Sequence, residues 1–447
     1  MSPNEKNKST TIFRVFNKMK SDEFKESAKQ CENNFKRNRK IGFIPLLLLI
    51  LRMVRKTTQL ELDEFRERFM PEEAARTTYT KQSFSEARQK LSPTAFTMLN
   101  DELVQAFYEE EEFKTYHGFR LLAMDGSVME LPNTSETRSV YGFTTTYKIG
   151  FRIARALSSH LYDVENKLVV STCLSRYDDN ERDLAKRNIE HFLQLKTSSI
   201  RNLILFDRGY PSADFLLYLQ EKGIAYLMRA QGSFYKEIMN TTQPDENVTI
   251  KITKSRAYEL KRQGTIILPG TVIHIRVLKV ELSTGETEIL LTNVSADELN
   301  YEACKPLYFK RWGIETRFDD LKQKFEIENF SGQKPQLIEQ DFYATVLLSN
   351  MASVLENEAE EQMNVSQRTK ELKYTEYRIN RNILVGKLRN RLIEMALEED
   401  DGKRESLQDH FLEELQRYIV PVVKGRSFMR DKQTRANKFT KTKRRGL

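Results

Sequence analysis

The chain has 447 residues, 39% hydrophobic and 30% charged. That is enough apolar content for a large core in two to four domains, and too much for a disordered polymer. Its three cysteines (Cys31, Cys173, Cys304) are far apart with no CxxC, and its five histidines (His117, His160, His191, His274, His410) lack ligand spacing. Both facts argue against a disulfide framework and a zinc site and suit a reducing, cytoplasmic setting. The net charge of +8 is concentrated at one end: residues 424–447 carry ten Lys/Arg and one Asp, leaving 62 basic and 63 acidic residues elsewhere.

Residues 1–40 are polar and basic with scattered apolar anchors (Phe13, Phe16, Met19, Phe24), which fits short helices or a flexible arm. The apolar run Ile41–Leu51 is shorter than the ~18 residues of a membrane span. It contains Pro45, as the first turn of a buried helix can, and forty polar residues ahead of it do not suit a signal peptide. No membrane partner is expected. Through residue 108 the pattern stays helical. One helix has Leu62, Phe65 and Phe69 on a face and ends at Pro71. Thr80 can cap a helix Lys81–Leu91, and another follows Pro93 with Phe96, Leu99, Leu103 and Phe107 as its stripe. The Lys81–Leu91 helix is read as exposing Lys81, Gln82, Arg88, Gln89 and Lys90. It is either an ordinary basic surface helix or the reading member of a helix-turn-helix-like arrangement. In the second case Lys81, Arg88 and Lys90 are candidate DNA contacts, and residues 1–112 form a helical N-terminal DNA-binding domain.

From about residue 118 the periodicity becomes that of strands: Phe119–Val128, residues 149–157, residues 167–174, Arg201–Phe206 and Ile224–Arg229. Helices Glu181–Leu195 and Ser212–Leu219 lie between the later ones. Three strands, helix, strand, helix, strand is an α/β unit with a mixed sheet. Residues 232–297 alternate as a β-rich insertion, after which a helical stretch near Tyr308 resumes the core, giving core segments 113–231 and 298–335. Residues 336–423 read as C-terminal helices and 424–447 as a basic tail. In the tail, Phe428 and Phe439 interleave with cations. A solubilising end is the plain reading, but contact with a DNA backbone through residues such as Arg444 and Arg445 is favoured.

Two acidic positions and one helix carry the chemistry. Asp125 lies in the first strand (AMDGS) and Asp207 ends the fourth (LFDRGY), where first and fourth strands of one sheet often neighbour each other. In the stretch Tyr308–Lys322, read as one helix, Leu307, Ile314, Phe318, Leu321 and Phe325 form a buried stripe. Tyr308, Arg311, Glu315 and Lys322 form a second stripe roughly 100° away. Taken alone, that second stripe also fits a solvated helix with an i,i+4 pair such as Arg311–Glu315. Three carboxylates converging from two strands and a helix need cations, and hard divalent ions such as Mg²⁺ or Mn²⁺ suit them. Two such ions about 4 Å apart serve phosphoryl transfer.

The spacing Tyr308–(2)–Arg311–(3)–Glu315–(6)–Lys322, with MDGS and FDRGY upstream, resembles DDE transposases of the insertion-sequence-four family over roughly residues 40–350. The resemblance implies an α/β ribonuclease H-like core with a β-rich insertion, preceded by an all-helical N-terminal domain and followed by C-terminal helices. It also implies roles. Asp125, Asp207 and Glu315 would hold two Mg²⁺ or Mn²⁺ ions, while Tyr308, Arg311 and Lys322 would grip DNA phosphates. The expected reaction is cleavage at the terminal inverted repeats of a bacterial element and strand transfer into target DNA, by a protein dimeric on DNA and associated with the nucleoid in the cytoplasm. Alternatives are a ribonuclease H-like nuclease that cuts without joining, and a DNA-binding relic. Family members pass through a DNA hairpin, helped by an aromatic residue of the insertion onto which a base flips. Here the one tryptophan, Trp312, lies on the signature helix. Phe234, Tyr235 and Tyr258 are the insertion's candidates for that role.

Overall fold

A computed structural model of the chain describes residues 10–37, 40–52, 57–109, 112–145, 150–197, 199–231, 234–262, 264–282, 285–367 and 376–422. The N-terminal part is helical: α1 (Thr10–Lys20), α2 (Asp22–Ser27), α3 (Phe43–Leu51), α4 (Thr58–Phe69), α5 (Pro71–Ala74), α6 (Lys81–Arg88) and α7 (Thr94–Glu109). Then come β1 (Arg120–Glu130), α8 (Ser135–Tyr141), β2 (Phe143–Thr145), β3 (Arg152–Asp163), β4 (Leu168–Arg176), α9 (Glu181–Gln194), β5 (Asn202–Phe206), α10 (Ala213–Glu221) and β6 (Ala225–Ala230). A third block holds α11 (Lys236–Met239), β7 (Asp245–Lys251), α12 (Lys254–Arg262), β8 (Val272–Glu281) and β9 (Thr287–Thr292). The chain continues with α13 (Tyr301–Phe309), α14 (Trp312–Gln323), α15 (Pro335–Gln367), β10 (Tyr377–Ile379), α16 (Arg381–Leu397), α17 (Asp401–Leu415) and β11 (Ile419–Pro421). The fold is therefore mixed α/β, as expected. Among the described residues no helix is long and apolar enough to cross a membrane.

One large sheet organises the chain. Its strands run β2-β3-β1-β5-β6-β9-β8-β7, with β4 also paired to β3. The β1–β5 and β5–β6 pairs are parallel and the others antiparallel. Parallel neighbours need a crossover, and α9 and α10 precede and follow β5 to supply it. The two faces of the sheet are covered by different helices. Asn188 of α9 donates to the Ser159 hydroxyl at 3.0 Å, whereas Phe318 of α14 meets the His160 ring edge-on at 4.7 Å. Ser159 and His160 are consecutive on β3, so these helices lie on opposite faces.

The apolar run at Phe43–Leu51 is buried nearly all round, as a helix enclosed by other helices must be. The core is continuous from these helices through the sheet to α15 and α16. Buried polar residues stitch the parts together. Asn350 on α15 donates to Asn100 of α7 at 2.7 Å and to the Val169 carbonyl of β4 at 2.8 Å.

The structure departs from the sequence reading at four places. The strands of the β-rich insertion join the core sheet itself, because β9 pairs with β6. The alternating pattern is also interrupted: Lys254–Arg262 is a helix rich in strong helix formers, and Ile266 and Leu268, read as strand, are 81% and 74% exposed outside any strand. The Tyr308–Lys322 stretch is two helices rather than one. Between α13 and α14 the backbone tightens to i→i−3 bonds, Arg311 N–H to the Tyr308 carbonyl and Gly313 N–H to the Lys310 carbonyl. There Gly313 lies so close to the β3–β4 connection that a Cβ would come 3.0 Å from Val164.

The fourth departure concerns Arg88. It is 1% exposed and cannot be a surface DNA contact. It shares a helical face with Phe84 and Leu91, and its guanidinium reaches into α15. It donates to Gln340 at 2.9 Å, to the Leu337 carbonyl at 2.8 Å and to Asp341 at 2.8 Å, with Ser331 as a further partner. Arg88→Ala leaves the largely buried Asp341 with Ser331 but no cation and should cost about 3 kcal/mol of stability, since breaking a buried charge pair from one side is expensive. Chemical denaturation checks this; a loss of DNA affinity with unchanged stability would return Arg88 to the surface.

Candidate active site

The site is built by strand register. In the parallel β1–β5 pair, Met124 lies opposite Phe206, so the next residues, Asp125 and Asp207, stand side by side where β5 ends. Adjacent strands are about 4.8 Å apart, which brings the two carboxylates into each other's field. Asp125 accepts the Gly126 N–H at 2.8 Å, and Asp207 accepts that of Arg208. Burial raises the Asp125 carboxyl to about 6; the Gly126 N–H and Arg311 oppose the rise, and Asp207 and Glu181 add to it.

The two signature helices close the site from one face. α14 is anchored on α15 by the buried Arg317, which donates to Ser349 at 2.8 Å, Asn350 at 3.2 Å and Ser353 at 3.3 Å. That anchorage presents Arg311 and Glu315 toward β1. Arg311 donates to Glu315 at 2.8 Å and stands 3.9 Å from Asp125, so its guanidinium lies between two of the expected metal ligands. Burial opposes its charge, but the bond to Glu315 together with the charges of Tyr308, Glu315 and Asp207 outweighs this and raises its pKa. Tyr308 is buried and donates to the Phe206 carbonyl at 3.3 Å, beside Asp207. Lys322, half-buried, donates to Ser127 at 2.7 Å and to the Val128 carbonyl at 2.8 Å. The signature residues thus gather along β1 and the end of β5, though Tyr308 and Arg311 are more enclosed than the stripe reading suggests.

Two further residues belong here and were not read from the sequence. Glu181 opens α9, whose start is fixed by the Asn180 side chain capping the Arg182 N–H at 2.9 Å. Partial burial and then Asp207 raise the Glu181 carboxyl. Tyr210 closes the turn that begins at Asp207, its N–H donating to the Asp207 carbonyl at 3.2 Å. It is 1% exposed, and its hydroxyl has no hydrogen-bond partner among the described residues. Burial pushes this phenol well above its usual range, and Asp125, Glu181 and Asp207 push it further. A buried, unsatisfied hydroxyl costs about 1–3 kcal/mol. The signal for Tyr210 was present in FDRGY; Glu181 gave none beyond its place at a helix start.

The donor set suits a hard divalent cation: oxygen ligands, and carboxylates crowded enough to hold one proton up. Among the described residues no three acidic, His or Cys side chains stand ready-spaced around one ion, in keeping with Glu315 being held by Arg311. Of the other candidates, Lys81 is exposed at the start of α6 and Lys90 half-buried in the turn after it, and Arg444 and Arg445 lie outside the described residues. Phe234 and Tyr235 pack edge-to-face at 4.7 Å against the core, whereas Tyr258 on α12 is 66% exposed.

The Asp125 carboxyl, raised from 3.8 to about 6, stabilises the metal-free fold fully below pH ~4 and loses that contribution as pH rises through about 6. In chelator, the stability of Asp125→Asn relative to the parent should therefore climb by about 2–3 kcal/mol between pH 4 and 7. Parallel pH profiles for the two proteins would contradict the crowding.

Comparison with known proteins gives matches of three kinds. The family described as Transposase DDE domain matches residues 116–351. The transposase InsG for insertion sequence element IS4 of Escherichia coli (strain K12) is 23% identical over 272 residues, 60% of this chain and 59% of that protein. The chain thus spans about three-fifths of the length of the curated relative it matches. Among solved structures, the cryo-EM structure of a piggyBac transposase synaptic complex with hairpin DNA aligns with 89% of this chain and 84% of its own, at 12% identity and a TM-score of 0.44.

Proposed function

This chain belongs to the transposase DDE domain family and is of the insertion-sequence-four type, and we propose that it cuts and joins DNA at the ends of a bacterial insertion sequence. The observation that carries this reading is the pairing of Asp125 with Asp207 at the end of β5, with the helix of Glu315 crossing β1 beside them. The strand order β4-β3-β1-β5-β6, antiparallel up to β1 and parallel beyond it, supports a ribonuclease H-like core spanning residues 113–231 and 298–335.

In this reading Asp125, Asp207 and Glu315 hold divalent ions, Mg²⁺ or Mn²⁺. When bound, such ions activate an attacking oxygen and stabilise the leaving one. Water attacks the phosphodiester at the repeat boundary and a 3′-OH leaves; that hydroxyl then attacks a target phosphodiester and displaces its 3′ oxygen. The protein's own contribution is positioning. Glu315 turns from Arg311 toward the aspartates, which frees a guanidinium beside the scissile phosphate. Lys322, half-exposed beside Ser127, contacts a neighbouring phosphate, and Tyr308 holds α13 against the end of β5. This exchange accounts for an ion pair in the structure between a proposed ligand and a proposed phosphate-binding residue.

The remaining DNA-binding parts follow the same reading. Residues 1–112 contact the terminal inverted repeats, with Lys81 and Lys90 as their surface cations, and the basic tail contacts the backbone of the same DNA. Two copies of the chain act on the paired ends. In the insertion, exposed Tyr258, with Lys254, Lys261 and Arg262 on the same helix, is the aromatic best placed to receive a flipped base.

Glu315→Gln should abolish cleavage of a duplex carrying the element's terminal repeat while leaving binding to that duplex intact; cleavage at a rate comparable to the parent would remove Glu315 from the metal site. Tyr258→Ala should lower the yield of closed hairpin at an unchanged rate of first-strand nicking, both read on one denaturing gel. An unaltered hairpin yield would exclude Tyr258 from base capture.

A further inference from the structure

The N-terminal helices enclose a cleft of about 970 Å³ between residues 33–37 and 40–43 on one side and the flank of α6 on the other. Five cations line it, Lys25, Lys36, Arg37, Lys40 and Lys90, against one carboxylate, Glu86, which accepts the Gln82 amide at 2.9 Å. Glu26, in the field of Lys25 and Lys36, is paired with Lys29. Among the described residues Lys25, Arg37, Lys40 and Lys90 form no ion pair. The shape of the cleft is set by contacts within the chain. Phe35 sits in the left-handed region at φ 57°, uncommon for a bulky side chain, and its ring packs edge-on against Phe43 at 5.2 Å. Asn34 donates to the Lys90 carbonyl at 3.3 Å, tying this wall to the end of α6. The start of α6 is not what attracts an anion: Thr80 and Ser83 satisfy each other's N–H groups, and Gln59 accepts that of Lys81 at 3.2 Å.

We propose that this cleft seats the sugar-phosphate backbone of duplex DNA, with its five cations on phosphate oxygens. The inference rests on the reading that residues 1–112 contact the terminal repeats. It places that contact in the cleft rather than along an α6 laid in the major groove. Cations crowded into one concavity repel one another and focus a positive potential; a strand of phosphates relieves the repulsion and is drawn by the field. Asn33, Gln82 and Ser83 add amide and hydroxyl groups to the walls, side chains of the kind that contact phosphate and sugar oxygens. Lys81 does not line the cleft, so of the two surface cations named above only Lys90 is a contact within it. Arg88 ties α6 to α15, on which α14 is also anchored, so a duplex in the cleft keeps a fixed place relative to Asp125 and Asp207. Phosphate contacts carry no sequence information. The cleft therefore supplies affinity and position, and not the choice of sequence.

The test titrates the full chain against two duplexes, one bearing the terminal repeat and one unrelated, over a range of salt. Arg37→Ala, Lys40→Ala and Lys90→Ala combined should lower the slope of log affinity against log salt by about 2–3, since each lost phosphate contact removes about 0.9. The drop should be the same on both duplexes, and Lys81→Ala should leave the slope unchanged. In the parent, amine-directed labelling read by mass spectrometry should find Lys25, Lys36, Lys40 and Lys90 shielded by the duplex and Lys81 open, which needs no variant to fold. Shielding of Lys81 with Lys36 and Lys40 open would return the contact to α6 as a reading helix and overturn the inference. So would an unchanged slope in the combined variant with the cleft lysines labelled equally with and without DNA; the chain would then bind DNA through other parts. A parent that binds neither duplex overturns the DNA reading itself and the inference with it.

Discussion

The register of two parallel strands is the constraint on which the site depends. Met124 opposite Phe206 puts Asp125 beside Asp207 at the point where β5 stops and β1 runs on. A shift of one residue would turn Asp125 to the other face, toward α9, and bury its carboxylate among the contacts of Asn188. The register is secured by full burial of the residues ahead of it, Leu121 to Met124 on β1 and Leu203 to Phe206 on β5. The hydrophobic core thus fixes the separation of two like charges that would otherwise move apart.

Arg311 relieves that repulsion on one side. It is buried, stands between Asp125 and Glu315, and stays charged because Glu315 neutralises it. Its position follows from the tightened turn between α13 and α14 and from the hold of Arg317 on α15. The long helix α15 also receives Arg88 and Asn100 from the N-terminal helices. The helix of Glu315 and the N-terminal helices are therefore braced on one element, a direct mechanical link between the parts read as cutting DNA and as binding it.

Much of this was legible in the sequence because it depends on local periodicity. The strands carrying Asp125 and Asp207, the cap at Thr80, the buried helix at Phe43–Leu51 and the stripe from Leu307 to Phe325 all follow from patterns within about twenty residues. What was misread depends on contacts between distant segments. Arg88 was taken for a surface cation, although 84, 88 and 91 share a helical face; its buried acceptors lie some 250 residues away. Beside the break at Lys310–Arg311, Gly313 packs on Val164, a contact between distant segments that no local pattern encodes. Glu181 stayed hidden because only packing between distant segments brings it into the field of Asp207, and Tyr210 because an aromatic beside an acidic motif reads as core.

The central claim is that Asp125 and Asp207, set side by side by strand register, hold a divalent cation. The most direct measurement is anomalous diffraction from crystals of the protein grown with Mn²⁺. The account predicts an anomalous peak within ligand distance of both carboxylates. Full Mn²⁺ occupancy elsewhere, with no peak between these two side chains, would contradict it.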